Sequence, residues 1–375
     1  MCVLVGSAAL VVAGVASSWA VRPDGPSAGA ASRFTVPPVT VIATGLDNPR
    51  GMVLKGNNLY VAEAGLGAGS NPGGAALGTG ATGAISIVRK VWSATPTQAK
   101  VVTGLSSYTY SEGGLQTIGI DSVALDRSGT GFALLGLFGE PGTAGTTLGD
   151  LVRYPTRGAS STVATVGAVD YAWTSAHAGD SWAPVDQFPD ANPYGLVTIP
   201  GHTYTIDAGA NTLDEVMADG TVHVLAFIPN TPTSDAVPTC VTKGPDGALY
   251  IGTLALKDWV VHGPGTATVY RVAPSATDPT NLSTVLNVAT VWATGLSTIS
   301  GCTFSPAGNF YATEMFANDV VKVPFATPTS GRKVYGTGTL SQPDGVAVDA
   351  KGDVYVSDRT SSASAGAGRV VRFAP

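Results

Sequence analysis

The apolar positions of this chain fall in short runs, and the runs recur in one phrase repeated six times. The phrase is a short strand, a tight polar corner, a Gly-started apolar strand, a Gly-containing turn and an apolar strand opening on an aromatic. The clearest copies are VIATGLDNPRGMVLKGNNLYVAE (41–63), VVTGL with IDSVALDRSGTGFALL (101–135), NPYGLVTIPGHTYTID (192–207), VPTCVTKGPDGALYIGT (237–253), VWATGLSTISGCTFSPAGNFYATE (291–314) and QPDGVAVDAKGDVYVSD (342–358). A repeat of this length fixes an architecture before any residue is read for chemistry.

Each copy predicts an inner strand, beginning at Gly51, Ser122, Gly195, Cys240, Gly301 and Gly345. A second strand opens at Tyr60, Phe132, Tyr204, Tyr250, Tyr311 and Tyr355. The turn between them is often Asp-Gly or an equivalent, as at Asp246-Gly247, Ala307-Gly308 and Lys351-Gly352, because a tight hairpin needs positive φ. A third strand follows: AISIVRK (84–90), DLVRYP (150–155), EVMAD (215–219), TVYRVAP (268–274), DVVKVP (319–324) and GRVVRFAP (368–375). The fourth is the opening strand of the next unit. Four antiparallel strands repeated radially make a β-propeller blade, so the expected fold is an all-β, six-bladed propeller. Two stacked sheets would account for the alternation but not for the repeated phrase.

The last unit ends at its third strand, and the first has a spare strand at 39–45 (VTVIATG). Pairing 39–45 beside 368–373 closes the ring and removes an exposed edge. The blades then run 46–105, 106–167, 168–226, 227–295, 296–337 and 338–375 plus 39–45.

Composition narrows the function classes. Charged residues make up 12% of the chain, against a usual share of about 25%. Gly accounts for 48 of 375 residues, nearly twice the ordinary usage of about 7%. The net charge of −6 gives a nucleic-acid role no electrostatic support. Residues 3–20 form an apolar run ending in Ser18-Trp19-Ala20, and 21–38 is linker-like. The expectation is a signal peptide over 1–20 and export to the cell envelope, periplasm or exterior, with no membrane span in the mature chain. The run lacks a preceding Lys or Arg. Cys240 and Cys302 are left in the mature chain, near the starts of neighbouring inner strands but one position out of register. They read as small buried hydrophobes, with a bridge as the alternative.

Three inserts stand out. Residues 65–83 are Gly-rich and read as a flexible loop; 138–149 is FGEPGTAGTTLG; 171–191 carries Trp173, His177 and Trp182 on what reads as a long functional loop.

The repeat itself locates a site. Connections into the inner strands and out of the second strands emerge on one face, around the mouth of the central channel. Arg50, Asp121, Tyr194, Thr239, Ser300 and Asp344 stand before the inner strands. Glu63, Leu135, Asp207, Thr253, Glu314 and Asp358 stand after the second strands. Six of these twelve positions are carboxylates, in a chain with only 26 acidic residues. Crowded carboxylates share protons, bind a cation or pair with Arg. Hard oxygen ligands suit Ca²⁺ or another divalent cation, with Glu63, Asp207, Glu314 and Asp358 as the ligand set. Asp121 or Asp344 would then serve as base and Arg50 would stabilise an anion. Tyr194, Asn192, Thr239, Ser300 and His177 would line the ligand. The structural alternative is that strand-end carboxylates cap backbone N–H groups, as Asp126 and Asp349 are placed to do. No histidine pair has metal-ligand spacing. There is no nucleophile elbow, P-loop or dinucleotide fingerprint.

Six segments together resemble one family. VIATGLDNPRG (41–51), YVAEAG (60–65), NPYG (192–195), DAGANTL (207–213), DAVPT (235–239) and GPDGALYIG (244–252) are similar to the ScyD/ScyE family of exported propellers, over about residues 39–375. More distantly they resemble NHL-repeat and gluconolactonase-like propellers. The resemblance implies an exported six-bladed propeller. Leu135 and Thr253 depart from the acidic pattern at the second-strand ends.

The expected function is binding of a small ligand at an acidic channel mouth, with a divalent cation and hydrolase or lactonase-like chemistry. The alternative is a non-catalytic extracellular module that binds a peptide or glycan. A third, implied only by the family, is a role in aromatic secondary metabolism. A closed ring has no edge that demands a partner, so a monomer is expected.

Overall fold

The structure, a computed structural model, describes residues 39–111, 114–142, 145–154, 160–183, 189–231 and 233–375. The signal peptide (1–20) and linker (21–38) expected above lie outside the described residues.

The chain opens with β1 (Val39–Leu46), which belongs to the last blade. Blade 1 is β2 (Pro49–Lys55), β3 (Asn58–Glu63), β4 (Gly78–Arg89), β5 (Thr97–Ser111) and a short added strand, β6 (Leu115–Ile118). Blade 2 is β7 (Ile120–Leu125), β8 (Gly131–Leu135), β9 (Leu151–Tyr154) and β10 (Ser161–Ala164), followed by helix α1 (Val166–His177). Blade 3 is β11 (Pro193–Ile199), β12 (His202–Asp207), β13 (Thr212–Val216) and β14 (Val222–Phe227). Blade 4 is β15 (Pro238–Lys243), β16 (Leu249–Thr253), β17 (Ala267–Val272) and β18 (Thr290–Leu296), with α2 (Leu256–His262) and α3 (Leu282–Asn287) in its connections. Blade 5 is β19 (Ile299–Phe304), β20 (Phe310–Glu314), β21 (Asp319–Val323) and β22 (Lys333–Tyr335). Blade 6 is β23 (Val346–Val348), β24 (Val354–Asp358) and β25 (Gly368–Phe373), completed by β1.

The protein is therefore a six-bladed β-propeller. Closure follows the expected pairing, with Val39 opposite Phe373 and Leu46 opposite Gly368. The inner strands β2, β7, β11, β15, β19 and β23 touch their neighbours in turn around the ring. Gly247, Gly308 and Gly352 take positive φ in the hairpin turns, as the sequence required.

The core lies between blades, not within them. Six apolar clusters separate the six neighbouring pairs of blades. The aromatic that opens each second strand enters one of these layers. Tyr204, Tyr250, Tyr311 and Tyr355 are buried there, and Tyr60 and Phe132 are partly buried. One aromatic per unit thus cements one blade to the next.

Four sequence expectations are revised. The Gly-rich stretch 65–83 is ordered: β4 begins at Gly78, and Gly67 bridges Ala76. Its glycines let backbone lie on backbone, since a Cβ at Gly80 would sit 2.0 Å from the Gly67 carbonyl oxygen. The third strand of blade 3 is Thr212–Val216 rather than 215–219, because Thr212 pairs directly with Asp207. The aromatic insert begins as helix α1. Its buried face is Val166, Gly167, Asp170 and Thr174, half of it polar, so no apolar stripe announced a helix. Cys240 and Cys302 are bridged, with Cα atoms 5.7 Å apart. The bridge staples the inner strand of blade 4, β15, to that of blade 5, β19.

Candidate functional site

The channel mouth is plugged by four side chains from four different blades. Arg50 leaves β2 and reaches across the channel. Its Nη1 donates to the Tyr194 hydroxyl at 3.0 Å, and its Nη2 donates to the Thr117 carbonyl at 3.0 Å. Nη1 lies 3.6 Å from Asp344 Oδ2, and Nε lies 3.7 Å from Asp121 Oδ1. The Tyr194 hydroxyl in turn donates to Asp344 Oδ2 at 2.5 Å. The chain separation explains why no local motif announced this group: Tyr194 and Asp344 are 150 residues apart. The repeat register alone brings them to equivalent points on the ring.

The electrostatics follow from burial. Asp121 and Asp344 are almost fully buried, and desolvation pushes Asp121 up to about 7 despite Arg50. Burial holds Asp344 at about 6, against the pull of Arg50 and the Tyr194 hydroxyl. Burial, then the Asp344 charge, keeps Tyr194 well above its ordinary value, so it remains a hydroxyl donor. Desolvation disfavours the Arg50 cation, but Tyr194, Asp121 and Asp344 together outweigh it and the guanidinium stays charged. Its Nε–H is buried without a hydrogen-bond acceptor.

Next to the plug lies a cavity of about 60 Å³ lined by all six inner strands, including Asp121, Tyr194, Thr239, Ser300 and Asp344. That is room for about two water molecules. The Thr239 and Ser300 hydroxyls are occupied in stitching blades together, donating to the Ile299 carbonyl at 2.6 Å and the Pro343 carbonyl at 2.9 Å. Ser357 donates likewise to the Arg50 carbonyl at 2.8 Å, and Thr313 to that of Asp344. Asn192 borders the plug; its Oδ1 accepts the Leu137 N–H at 3.2 Å.

The carboxylates expected to share a cation stand on four blades, and each has its own work. Glu63 accepts the Asp47 N–H at 2.8 Å and the Ser86 hydroxyl, and Lys100 lies 3.4 Å away. Asp207 accepts N–H groups from Asn192, Gly209 and Ala210 on one oxygen. Glu314 accepts from Ser297 N–H, and Asp358 from Ser341 N–H and Arg369. All four thus tie the end of a second strand to the turn that leads into their own blade, which is capping. Burial, with Asp319 beside it, raises Glu314 to about 8. Among the described residues no group of three His, Cys, Asp or Glu is arranged to hold a metal ion. His177 does not line the channel. It sits over the outer strand β14, hydrogen-bonded to Asp180 and packed on Trp173 and Trp182.

Sequence reasoning missed an aromatic ladder. Tyr108 stacks on Tyr110, and Tyr110 on the exposed Phe138 at 4.8 Å. The alternation in SSYTYS was a signal that could have found the first two.

Fold and site together define a closed propeller whose channel is plugged by a neutralised Arg–Asp–Asp–Tyr group. Residues 195–375, from within blade 3 to the end of blade 6, match the family described as SMP-30/Gluconolactonase/LRE-like region. The chain is thus similar to gluconolactonase-like propellers. No curated protein matches it. Similar solved structures include a structural-genomics protein of unknown function from Bacteroides thetaiotaomicron, with TM-score 0.53 and 10% identity over 90% of this chain and 75% of that one. Another is a putative oxidoreductase (glucose dehydrogenase) from Thermus thermophilus, with TM-score 0.51 and 14% identity over 90% and 99%. A third is the PQQ-bound aldose sugar dehydrogenase of Streptomyces coelicolor, with TM-score 0.50 and 14% identity over 90% and 99%. At these identities the likeness is one of fold. Among the described residues no helix is long and apolar enough to cross a membrane.

Proposed function

We propose that the protein is a hydrolase of small lactones or esters, working by acid–base chemistry at the channel mouth. One juxtaposition carries the reading: a carboxyl poised near neutrality, Asp121, faces a buried guanidinium N–H that has no acceptor, on Arg50 Nε. A base with a pKa near the working pH takes a proton from attacking water most effectively. A fixed N–H donor beside it stabilises charge that develops on a carbonyl oxygen. Tyr194 and Asp344 hold the guanidinium in place. The similarity to a family described by gluconolactonase supports the substrate class. A divalent cation, if one takes part, would need ligands beyond the four capping carboxylates. The expected result is that a panel of lactones and aryl esters yields a hydrolysed substrate. Asp121→Asn should then lower kcat/KM by about 100-fold or more with the fold intact by circular dichroism. Equal rates in wild type and variant would refute the role of Asp121.

The second reading is a binding module for a glycan or peptide, favoured by the half-buried Tyr108–Tyr110 pair that ends on the exposed Phe138. We place the protein outside the cytoplasm as a monomer, and the Cys240–Cys302 bridge supports an oxidising compartment. Within the ScyD/ScyE resemblance, aromatic secondary metabolism stays a third reading.

A further inference from the structure

We propose that helix α1 is a proton-held latch on blade 3, docked through a carboxyl cluster formed by Asp170, Asp207 and Asp214 and released as those carboxyls ionise. The functional consequence rests on the channel reading above; the latch itself does not.

The cluster joins three elements. Asp170 projects from α1, Asp207 ends β12 and Asp214 lies in β13, and all three are fully buried. Both Asp170 oxygens, Asp207 Oδ2 and Asp214 Oδ1 have no hydrogen-bond partner as carboxylates. So does the Thr205 hydroxyl, which is buried and sits directly across the ladder from Asp214. Asp170 approaches both Asp207 and Asp214 closely enough to hydrogen-bond them once a proton is shared. Three buried carboxylates at this spacing cannot all be charged.

Among the described residues the surroundings supply no counter-charge. Among the described residues no ion pair includes Asp170, Asp207, Asp214 or Asp190. On α1 and just beyond it, His177 pairs with Asp180. On β12 and β13, His202 pairs with Glu215. On β14, His223 is exposed. From the adjoining turns come two more carboxylates, Asp190 and Asp235, the latter accepting from Asn211. Helix α3, which also packs on β14, carries no charge. Protons therefore neutralise the cluster.

Burial, with the neighbouring carboxyls, raises Asp170 and Asp214 well above 3.8. Burial also brings Asp207 to about 6 and Asp190 to about 7. The docked state therefore binds protons that the released state gives up. Docking is strongest below about pH 4 and is lost as pH rises through 6 to 7 and beyond. The release would reach the channel. Thr174 of α1 holds both the N–H and the carbonyl of Asp190, and Asp207 holds the Asn192 N–H, two residues before Tyr194.

The test is hydrogen exchange of full-length protein, followed on peptides within 166–183 between pH 5 and pH 8 and corrected for intrinsic rates. Each unit by which a carboxyl is held high is worth about tenfold in the docking equilibrium. Wild-type protection should therefore fall about tenfold or more across that range. Asp170→Asn, which cannot ionise, should lose protection less steeply than wild type and keep more of it at pH 8. Flat wild-type protection would overturn the proposal, and so would an Asp170→Asn variant that follows the wild-type slope or is unprotected at every pH. Loss of wild-type protection on adding EDTA at pH 6 would assign the cluster to a cation instead. None of these readouts uses catalysis, so a failed latch leaves the Asp121 reading standing and a failed hydrolase leaves the latch.

Discussion

Arg50→Met should be among the most damaging single changes in this protein, costing about 3–5 kcal/mol at pH 8. The side chain contributes little apolar burial that methionine could not replace. What it removes is the only cation facing Asp121 and Asp344 among the described ion pairs, which leaves two buried carboxylates without a counter-charge, Asp344 keeping only the Tyr194 hydroxyl. The cost should depend on pH. Both carboxyls already stand above 3.8, near 7 and near 6. Their contribution to stability is complete below about pH 4 and is lost as pH rises through 6 to 7. Without Arg50 both rise further, so the variant should lie closest to wild type at acid pH and fall away steeply above neutrality. Urea unfolding at pH 5 and pH 8 checks this. A penalty that does not change between those values would mean that Arg50 does not face charged partners.

The second large effect is loss of the Cys240–Cys302 bridge. It closes a loop of 62 residues and joins the inner strands of blades 4 and 5. In the chain-entropy view a loop of that length is worth about 4 kcal/mol, and measured bridges usually return about 2–4. The double variant Cys240→Ser/Cys302→Ser avoids a lone thiol, and its denaturant midpoint should fall by that much. A midpoint within error of wild type would show that the blade interface holds the two strands without the bridge.

The repeated phrase made the architecture legible. Each unit has one aromatic at the opening of its second strand, and that aromatic fills one layer between blades. The spare strand at 39–45 was enough to foresee the pairing of β1 with β25. The site was half legible. Register placed Arg50, Asp121, Tyr194 and Asp344 at equivalent points, but it could not separate residues that cross the channel from residues that turn back. Glu63, Asp207, Glu314 and Asp358 turn back, because a strand end next to a tight turn leaves backbone N–H groups that a carboxylate satisfies. Helix α1 was hidden for a related reason. Its buried face is completed by Asp170, and a carboxyl docked on other carboxyls leaves no hydrophobic period to read. The disulfide was undervalued because cysteines one position out of register on neighbouring inner strands look too far apart, yet their Cα atoms lie 5.7 Å apart.

The central claim is that Asp121 is a base poised at neutral pH inside the plug. Carbon-13 NMR of aspartate carboxyls, read as wild type minus Asp121→Asn between pH 4 and pH 9, tests it most directly. A carboxyl resonance that titrates near 7 and vanishes in the variant is the predicted result. A resonance that titrates near the ordinary 3.8, or stays ionised throughout, would contradict it.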